Sequence, residues 1–179
     1  MITSMTDEAL VEAALQEQAL FGEIVLRYQD KLARYITRLG IRNSDDRDDV
    51  LQDIFVKVYR NLNGFDTTLS FSSWIYRIAH NEAISWYRKT NVRPEGHLIS
   101  DGESILEFIK ADGENAETLF DQTINADELE RAMATLDENY RDVLLLRFFE
   151  HKEYTEISDI LKIPIGSVGT LIHRGKKQL

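Results

Sequence analysis

Along most of this 179-residue chain the apolar residues recur at intervals of three and four, with no convincing alternating stretch, so it is restricted to helices packed on helices. Phe21, Ile24, Val25, Tyr28, Leu32, Ile36 and Leu39 form one such stripe, and Gly40 is placed to end it. A second helix follows, with Asn43 or Ser44 as its cap and Asp45 to Asp49 placing negative charge at the positive end of the helix dipole. Val50, Leu51, Ile54, Phe55, Val58 and Leu62 make its apolar side, and Asn63-Gly64 closes it. A third helix is predicted from near Ser70 to Ser73 through about Lys89, with Ile75, Ile78, Ala79 and Ala83 facing inward.

From Thr90 to about Asn125 the spacing fails and the composition turns to Gly, Asp, Glu and Asn, with Pro94 near the start. The expected organisation is therefore two small all-α domains, residues 1–90 and 126–179, joined by an acidic linker over 91–125. Inside the linker, Ile105, Leu106, Phe108, Ile109, Leu119 and Phe120 mark local turns or docking points. Helix resumes with Leu129, Met133 and Leu136, and Asp137 caps the segment carrying Tyr140, Val143, Leu144, Leu146 and Phe148. A compact unit ends the chain: a helix over about Thr155 to Leu161, a turn at Lys162-Ile163, and Pro164 at the first position of a final helix. These are helix-turn-helix proportions, with Ile157, Ile160, Leu161, Ile163, Val168 and Ile172 as core and Ser167, Thr170, His173, Arg174 and Lys177 outward. Hydroxyls, imidazole and cations are the groups that bond phosphates and base edges, but spacing alone fits an ordinary amphipathic helix pair as well.

A net charge of −10 looks hostile to nucleic acid until its distribution is read. Residues 91–130 hold eleven acids against two bases, which leaves the rest nearly neutral. The segment from Pro164 to Leu179 contains Arg174, Lys176 and Lys177 and no acid. The absence of cysteine excludes disulfides, zinc thiolates and thiol catalysis. No run of about eighteen apolar residues occurs, so neither membrane insertion nor secretion is expected, and the chain reads as cytoplasmic. His80, His97, His151 and His173 are scattered without metal-ligand spacing. The cluster Asp45, Asp46, Asp48, Asp49 and Asp53 suggests a magnesium site for phosphodiester chemistry, but neighbouring helix positions point in different directions and few of these carboxylates converge. With no glycine-rich phosphate loop or nucleophile motif either, the expectation is a non-enzyme with no metal, cofactor or small-molecule substrate.

Residues 65–89 read FDTTLSFSSWIYRIAHNEAISWYRK, an unusual mixture for a surface helix. Trp74, Tyr76, Trp86 and Tyr87 alternate with Arg77, His80, Asn81, Arg88 and Lys89. Rings offer faces to unstacked bases while cations follow the backbone, which suits partly single-stranded nucleic acid. Aromatics at helical spacing also build cores, and Tyr76 and Trp86 fit that role equally.

At these residues the chain resembles the extracytoplasmic-function sigma factors of the sigma-70 family. Asp48-Asp49-Val50-Leu51-Gln52-Asp53-Ile54-Phe55 is similar to region 2.2, and Phe71 to Asn81 to regions 2.3 and 2.4. Tyr140 to Arg147, Ile163 to Val168 and His173-Arg174 are similar to region 4. The resemblance implies a region 2 helical bundle and a region 4 helix-turn-helix. Its implied partners are core RNA polymerase, promoter DNA and an anti-sigma factor. It assigns Asp49, Gln52, Asp53 and Phe55 to polymerase binding. Trp74, Arg77, His80, Asn81, Trp86, Arg88 and Lys89 are assigned to recognising and melting the minus-10 element, with Trp74 as wedge and the loop Phe65 to Ser72 shaping a pocket for an extruded base. Ser167, Thr170, His173, Arg174, Lys176 and Lys177 fall to the minus-35 element. The chain departs from its family where many relatives carry Lys, Ser, Arg in the last helix, for it has Gly169, Thr170, Leu171. Gly166, Gly169 and Gly175 also weaken that helix by up to about 1 kcal/mol each, so weaker or less charge-dependent minus-35 binding is expected, with Arg174, Lys176 and Lys177 carrying most phosphate contact. In the family the linker runs through the polymerase channel that later holds RNA, so the acidic stretch is read either as a polyanion mimic or as a solvated spacer. The nearer rival reading is a helix-turn-helix regulator that binds duplex DNA unaided.

Overall fold

A computed structural model describes residues 5–90, 131, 133 and 135–178. The acidic linker, its apolar clusters and the channel reading built on them lie outside the described residues. Among the described residues there are seven α-helices and no strand, and the chain divides into two compact units.

The first unit is built from α1 (Asp7–Gln16), α2 (Phe21–Arg38), α3 (Ser44–Asn61) and α4 (Phe71–Thr90), with single 3-10 turns at Gln18–Leu20 and Leu62–Gly64. The α1 helix is started by the Thr6 hydroxyl, which accepts from the Ala9 N–H at 3.2 Å, and it buries Leu10, Val11 and Ala14. Asp7 fastens it to α2, taking the Arg27 guanidinium at 2.6 Å while Tyr28 donates its hydroxyl to the other carboxylate oxygen. Burial, reinforced by that carboxylate, pushes the Tyr28 phenol far above its ordinary range. Of the stripe expected on α2, Ile24, Tyr28, Leu32, Ile36 and Leu39 are buried, and Phe21 and Val25 lie at the edge. Asn43 is the cap of α3: its side chain accepts from the N–H groups of Asp45 and Asp46 at 2.9 and 3.1 Å. Val50, Ile54, Val58 and Leu62 are buried beneath α3, and Ile75, Ala79 and Ala83 beneath α4. Glu82 on α4 is buried too, and its carboxylate is met by Lys57 from α3.

The second unit comprises α5 (Glu138–Leu144), a π turn over Leu145–Phe149, α6 (Tyr154–Leu161), apart from its end Asp159–Leu161, which groups with the first unit, and α7 (Ile165–Gln178). Asp137 caps α5 by accepting from Asn139 N–H at 3.1 Å. The α5 helix runs into the π turn, whose Glu150 N–H bonds back to the Leu145 carbonyl at 3.2 Å. His151 then takes a left-handed conformation (φ 51°), and Lys152 N–H returns to the Leu146 carbonyl at 2.9 Å. Glu153 and Glu156 form a reciprocal capping box at the start of α6. Ile157, Ile160, Val168 and Ile172 are buried as expected, whereas Leu161 and Ile163 are only half-buried. Pro164 precedes the final helix rather than occupying its first position; its carbonyl accepts from Ser167 N–H at 2.8 Å, and the helix begins at Ile165.

Gly175 has a role that helix propensity alone conceals. A Cβ at this position would lie 2.9 Å from Leu144 Cδ1 and 3.2 Å from Tyr140 Cβ, so its lack of a side chain is what lets α7 approach α5. Gly166 has nothing within 4 Å and carries no such demand.

Candidate nucleic-acid and polymerase interfaces

In the first unit, the loop between α3 and α4 and the first turns of α4 form a nest of rings. Phe65, Phe71 and Trp74 are mutually in contact, with ring centroids 5.1 Å apart for Phe65 and Trp74, 5.3 Å for Phe65 and Phe71, and 5.6 Å for Phe71 and Trp74. Phe65 and Phe71 are buried, while Trp74 is half-buried, packed on its inner side and reachable from outside. The loop carries its own framework. Asp66 accepts from both the N–H and the hydroxyl of Thr68, at 2.9 and 2.7 Å, and its carbonyl accepts from Leu69 N–H at 3.0 Å. The two bonds from Thr68 hold the Asp66 carboxyl below its ordinary value. At the helix start, Ser70 Oγ accepts from Ser73 N–H at 3.2 Å, and Phe71 N–H is taken by Glu8 of α1 at 3.0 Å.

Helical spacing places Trp74, Arg77, Asn81 and Arg88 along one stripe of α4. Asn81, Arg88 and Lys89 are exposed and Arg77 is half-buried. Two other residues grouped with them on sequence point elsewhere. The Nδ1 of His80 lies 3.1 Å from the Tyr35 hydroxyl, tying the imidazole to α2. Trp86 is half-buried and packs edge-on against Tyr87 at 5.1 Å, and Tyr87 donates its hydroxyl to the Leu39 carbonyl at 2.8 Å. Tyr76, left open between core and site, is core: it is 2% exposed and its ring meets that of Tyr35 at a tilt, with centroids 5.2 Å apart.

On α3, Asp49, Gln52 and Asp53 are exposed and Phe55 is half-buried. Val56 and Tyr59 continue this exposed side, at 38% and 42% exposure, and the Tyr59 ring meets Phe21 edge-on at 5.1 Å. The sequence reading passed over both, although Val56 lies seven residues beyond Asp49 and so on the same face.

In the second unit, α6 ends at Lys162, whose left-handed conformation (φ 55°) makes the turn; Ser158 Oγ donates to the Ile163 carbonyl at 2.7 Å and fixes its far side. Along α7, Thr170, His173, Arg174 and Lys177 are exposed and Ser167 is half-buried. Ser167, Thr170, Arg174 and Lys177 share one stripe, with His173 to its side. Lys176 is turned towards Phe148, its ammonium 5.1 Å from the ring centroid. Beneath them, Asp142 is buried beside Arg141, with Nε 3.5 Å from Oδ1, and burial pushes its carboxyl up to about 7 against the pull of that guanidinium. Among the described residues, no three His, Cys, Asp or Glu side chains are grouped so as to hold a metal ion, and no helix is long and apolar enough to cross a membrane.

Comparison with known proteins matches two segments of the chain. The sigma-70 region 2 family model matches residues 24–93, and the sigma-70 region 4 model matches residues 126–179. The chain is 32% identical to the ECF RNA polymerase sigma factor SigW of Bacillus subtilis, over 91% of this chain and 88% of that protein. It is also 32% identical to the ECF RNA polymerase sigma-E factor of Haemophilus influenzae, over 100% of this chain and 96% of the relative. Among solved structures, CnrH in complex with the cytosolic domain of CnrY superposes with a TM-score of 0.70 at 25% identity, covering 96% of this chain and 93% of that one. The sigma factor RpoE of Bartonella quintana, solved with the anti-sigma factor NepR, has the same fold, with a TM-score of 0.64 at 17% identity, covering 88% of this chain and 92% of that one. The chain therefore belongs to the extracytoplasmic-function group of the sigma-70 family, the alternative sigma factors that direct transcription initiation.

Proposed function

We propose that the two units divide promoter recognition between them, the first gripping polymerase and opening the minus-10 element, the second reading the minus-35 element. The observation that carries this reading is the α4 stripe, where a half-buried Trp74 in a nest of rings is followed at helical spacing by Arg77, Asn81 and Arg88. Opening a duplex forfeits pairing and stacking, and the loss is offset by a base captured in a pocket and a ring that takes the vacated stacking position. Trp74 supplies the ring, the loop Phe65 to Ser72 the pocket wall, and Asn81 an amide able to read a base edge. Arg77, Arg88 and Lys89 follow the phosphates. His80 and Trp86 act from behind the stripe, tying α4 to α2 and packing its last turns.

Asp49, Gln52, Asp53 and Phe55 form the polymerase-docking face of α3. Ser167, Thr170, His173, Arg174, Lys176 and Lys177 carry the minus-35 contacts, with α7 in the major groove. The protein performs no covalent chemistry; its work is differential binding of closed and open promoter, carried out in the cytoplasm with core RNA polymerase. An anti-sigma factor that covers the docking faces is the expected regulator, and the Bartonella quintana neighbour solved with one supports that assignment.

Reconstitution tests the whole reading. Purified protein added to core polymerase should start transcription at a promoter the core alone ignores. Trp74→Ala should lower the open-complex rate about tenfold, the loss of roughly one stacking contact, while core affinity stays within about twofold. Transcription that still requires another sigma factor would overturn the proposal in favour of a stand-alone regulator.

A further inference from the structure

The α1 helix precedes the residues matched by the region 2 family model, which begin at residue 24, yet it touches the start of α4. We propose that Glu8 on α1 is a positioning residue for strand opening, holding the first peptide of α4 so that the Trp74 nest and its loop stay in one geometry. This rests on the reading of region 2 given above.

The geometry runs through a single residue. Glu8 Oε1 accepts from the N–H of Phe71 at 3.0 Å. That N–H belongs to the first turn of α4, where the helix has no internal acceptor to offer, and Ser70 Oγ serves Ser73 instead. Phe71 is also the residue whose ring touches Trp74, Phe65 and Tyr28, so fixing its backbone fixes the floor on which Trp74 rests. The anchoring element is itself held firmly: Leu10, Val11 and Ala14 are buried, and Asp7 is bonded to Arg27 and Tyr28. The far end of the loop is organised separately by Asp66, and at its α4 end Glu8 adds a restraint from another helix to the local bond between Ser70 and Ser73.

The choice of residue sharpens the point. A carboxylate beside a surface that must attract phosphate works against binding, so its value lies in the bond it accepts and not in its charge. The length of the side chain then matters as much as its chemistry. Glu8→Gln keeps an acceptor oxygen at the same reach and removes the charge. Glu8→Asp keeps the charge but is one methylene too short.

The test uses full-length holoenzyme on a linear promoter carrying 2-aminopurine in the minus-10 element, with Glu8→Gln, Glu8→Asp, Glu8→Ala and Trp74→Ala assayed in parallel. Core affinity and closed-complex affinity are measured for each. Glu8→Ala and Glu8→Asp should open about five- to tenfold more slowly, as expected for one lost hydrogen bond, with core and closed-complex affinities within about twofold of the parent. Glu8→Gln should open at least as fast as the parent. If Glu8→Gln and Glu8→Ala fall together, charge and not positioning is at work, and the proposal is overturned. It is equally overturned if core affinity falls in step with opening, which marks general destabilisation, or if Trp74→Ala is slow while every Glu8 variant is normal. A normal Trp74→Ala, by contrast, removes the region 2 reading itself.

Discussion

Replacing Gly175 with Ala sets two effects of known sign against each other. Alanine favours a helix interior by up to about 1 kcal/mol over glycine, so propensity alone makes Gly175→Ala stabilising. The new methyl carbon, however, would lie 2.9 Å from Leu144 Cδ1, 3.2 Å from Tyr140 Cβ and 3.4 Å from Leu144 Cγ. The leucine methyl can swing aside, but Tyr140 Cβ is fixed to the α5 backbone and yields only if the two helices move apart. Overpacking of that kind costs about 1–3 kcal/mol, so against the full propensity gain the net expectation is a loss of up to about 2 kcal/mol. Gly166→Ala is the matched control: nothing lies within 4 Å, and a gain of up to about 0.5 kcal/mol is expected. Both tryptophans, Trp74 and Trp86, sit in the first unit, so their fluorescence does not follow this change. Hydrogen exchange of peptides from α5 and α7 does. Exchange there should speed up about tenfold in Gly175→Ala, the factor that corresponds to about 1.4 kcal/mol, and slow in Gly166→Ala. If both variants slow exchange alike, the close approach of α7 to α5 is wrong.

Asp142 makes the second unit sensitive to pH. Burial raises its carboxyl to about 7, so from about pH 4 up to about pH 7 the folded chain holds a proton that the unfolded chain has lost. Stability therefore falls as pH rises through that window and stays reduced above it. Asp142→Asn should be the more stable protein at pH 8, by a few kcal/mol at most, with the difference shrinking towards pH 5; a gap that is the same at both pH values counts against the burial argument. On the DNA side, Arg174→Ala and Lys177→Ala should each lower the slope of log affinity against log salt for minus-35 binding by about 1, and Lys176→Ala by less, because its ammonium is turned towards Phe148. Equal slopes for all three would show that exposure on α7 does not decide which cation meets phosphate.

Periodicity exposed most of this fold, because a helix that buries one side writes that side into the sequence at three- and four-residue spacing. The caps at Asn43 and Asp137 were legible for the same local reason. Less visible were features set by contact between elements. Tyr35 is fully buried on α2 although its phenol makes it look like surface, and its partners Tyr76 and His80 come from α4, more than forty residues away. The tie of His80 to α2 likewise leaves no local trace in the sequence. The α1 helix has only ten residues and a short apolar side, and its value comes from Asp7 and Glu8 reaching α2 and α4. Gly175 looked like a weak point because propensity is local, while the reason for it stands on another helix. Of the aromatic and basic set on α4, spacing separates the Trp74 stripe from Trp86, but only neighbours tell which ring is floor and which is free.

For the wedge role proposed for Trp74, half-burial is what the energetics of strand opening require. A fully exposed indole must be ordered when it stacks on a base, at a cost of about 0.5–1.5 kcal/mol for a side chain immobilised on binding. A fully buried one cannot stack at all. Packed against both Phe65 and Phe71, the ring is already ordered and keeps an accessible portion, so capture of a base adds little further ordering. Even so, one stacking contact is worth about 1–3 kcal/mol, whereas unstacking takes a few kcal/mol per base step. Trp74 alone cannot hold a promoter open. On the proposed division of roles, the deficit is met by Asn81, the pocket loop, the cations and a polymerase that keeps the DNA in place. A chain with a net charge of −10 and a thinly basic α7 lacks the electrostatic means to collect DNA unaided, so both observations lead to the same dependence: opening is a property of the assembled holoenzyme, and the free protein should neither bind tightly to the promoter nor melt it.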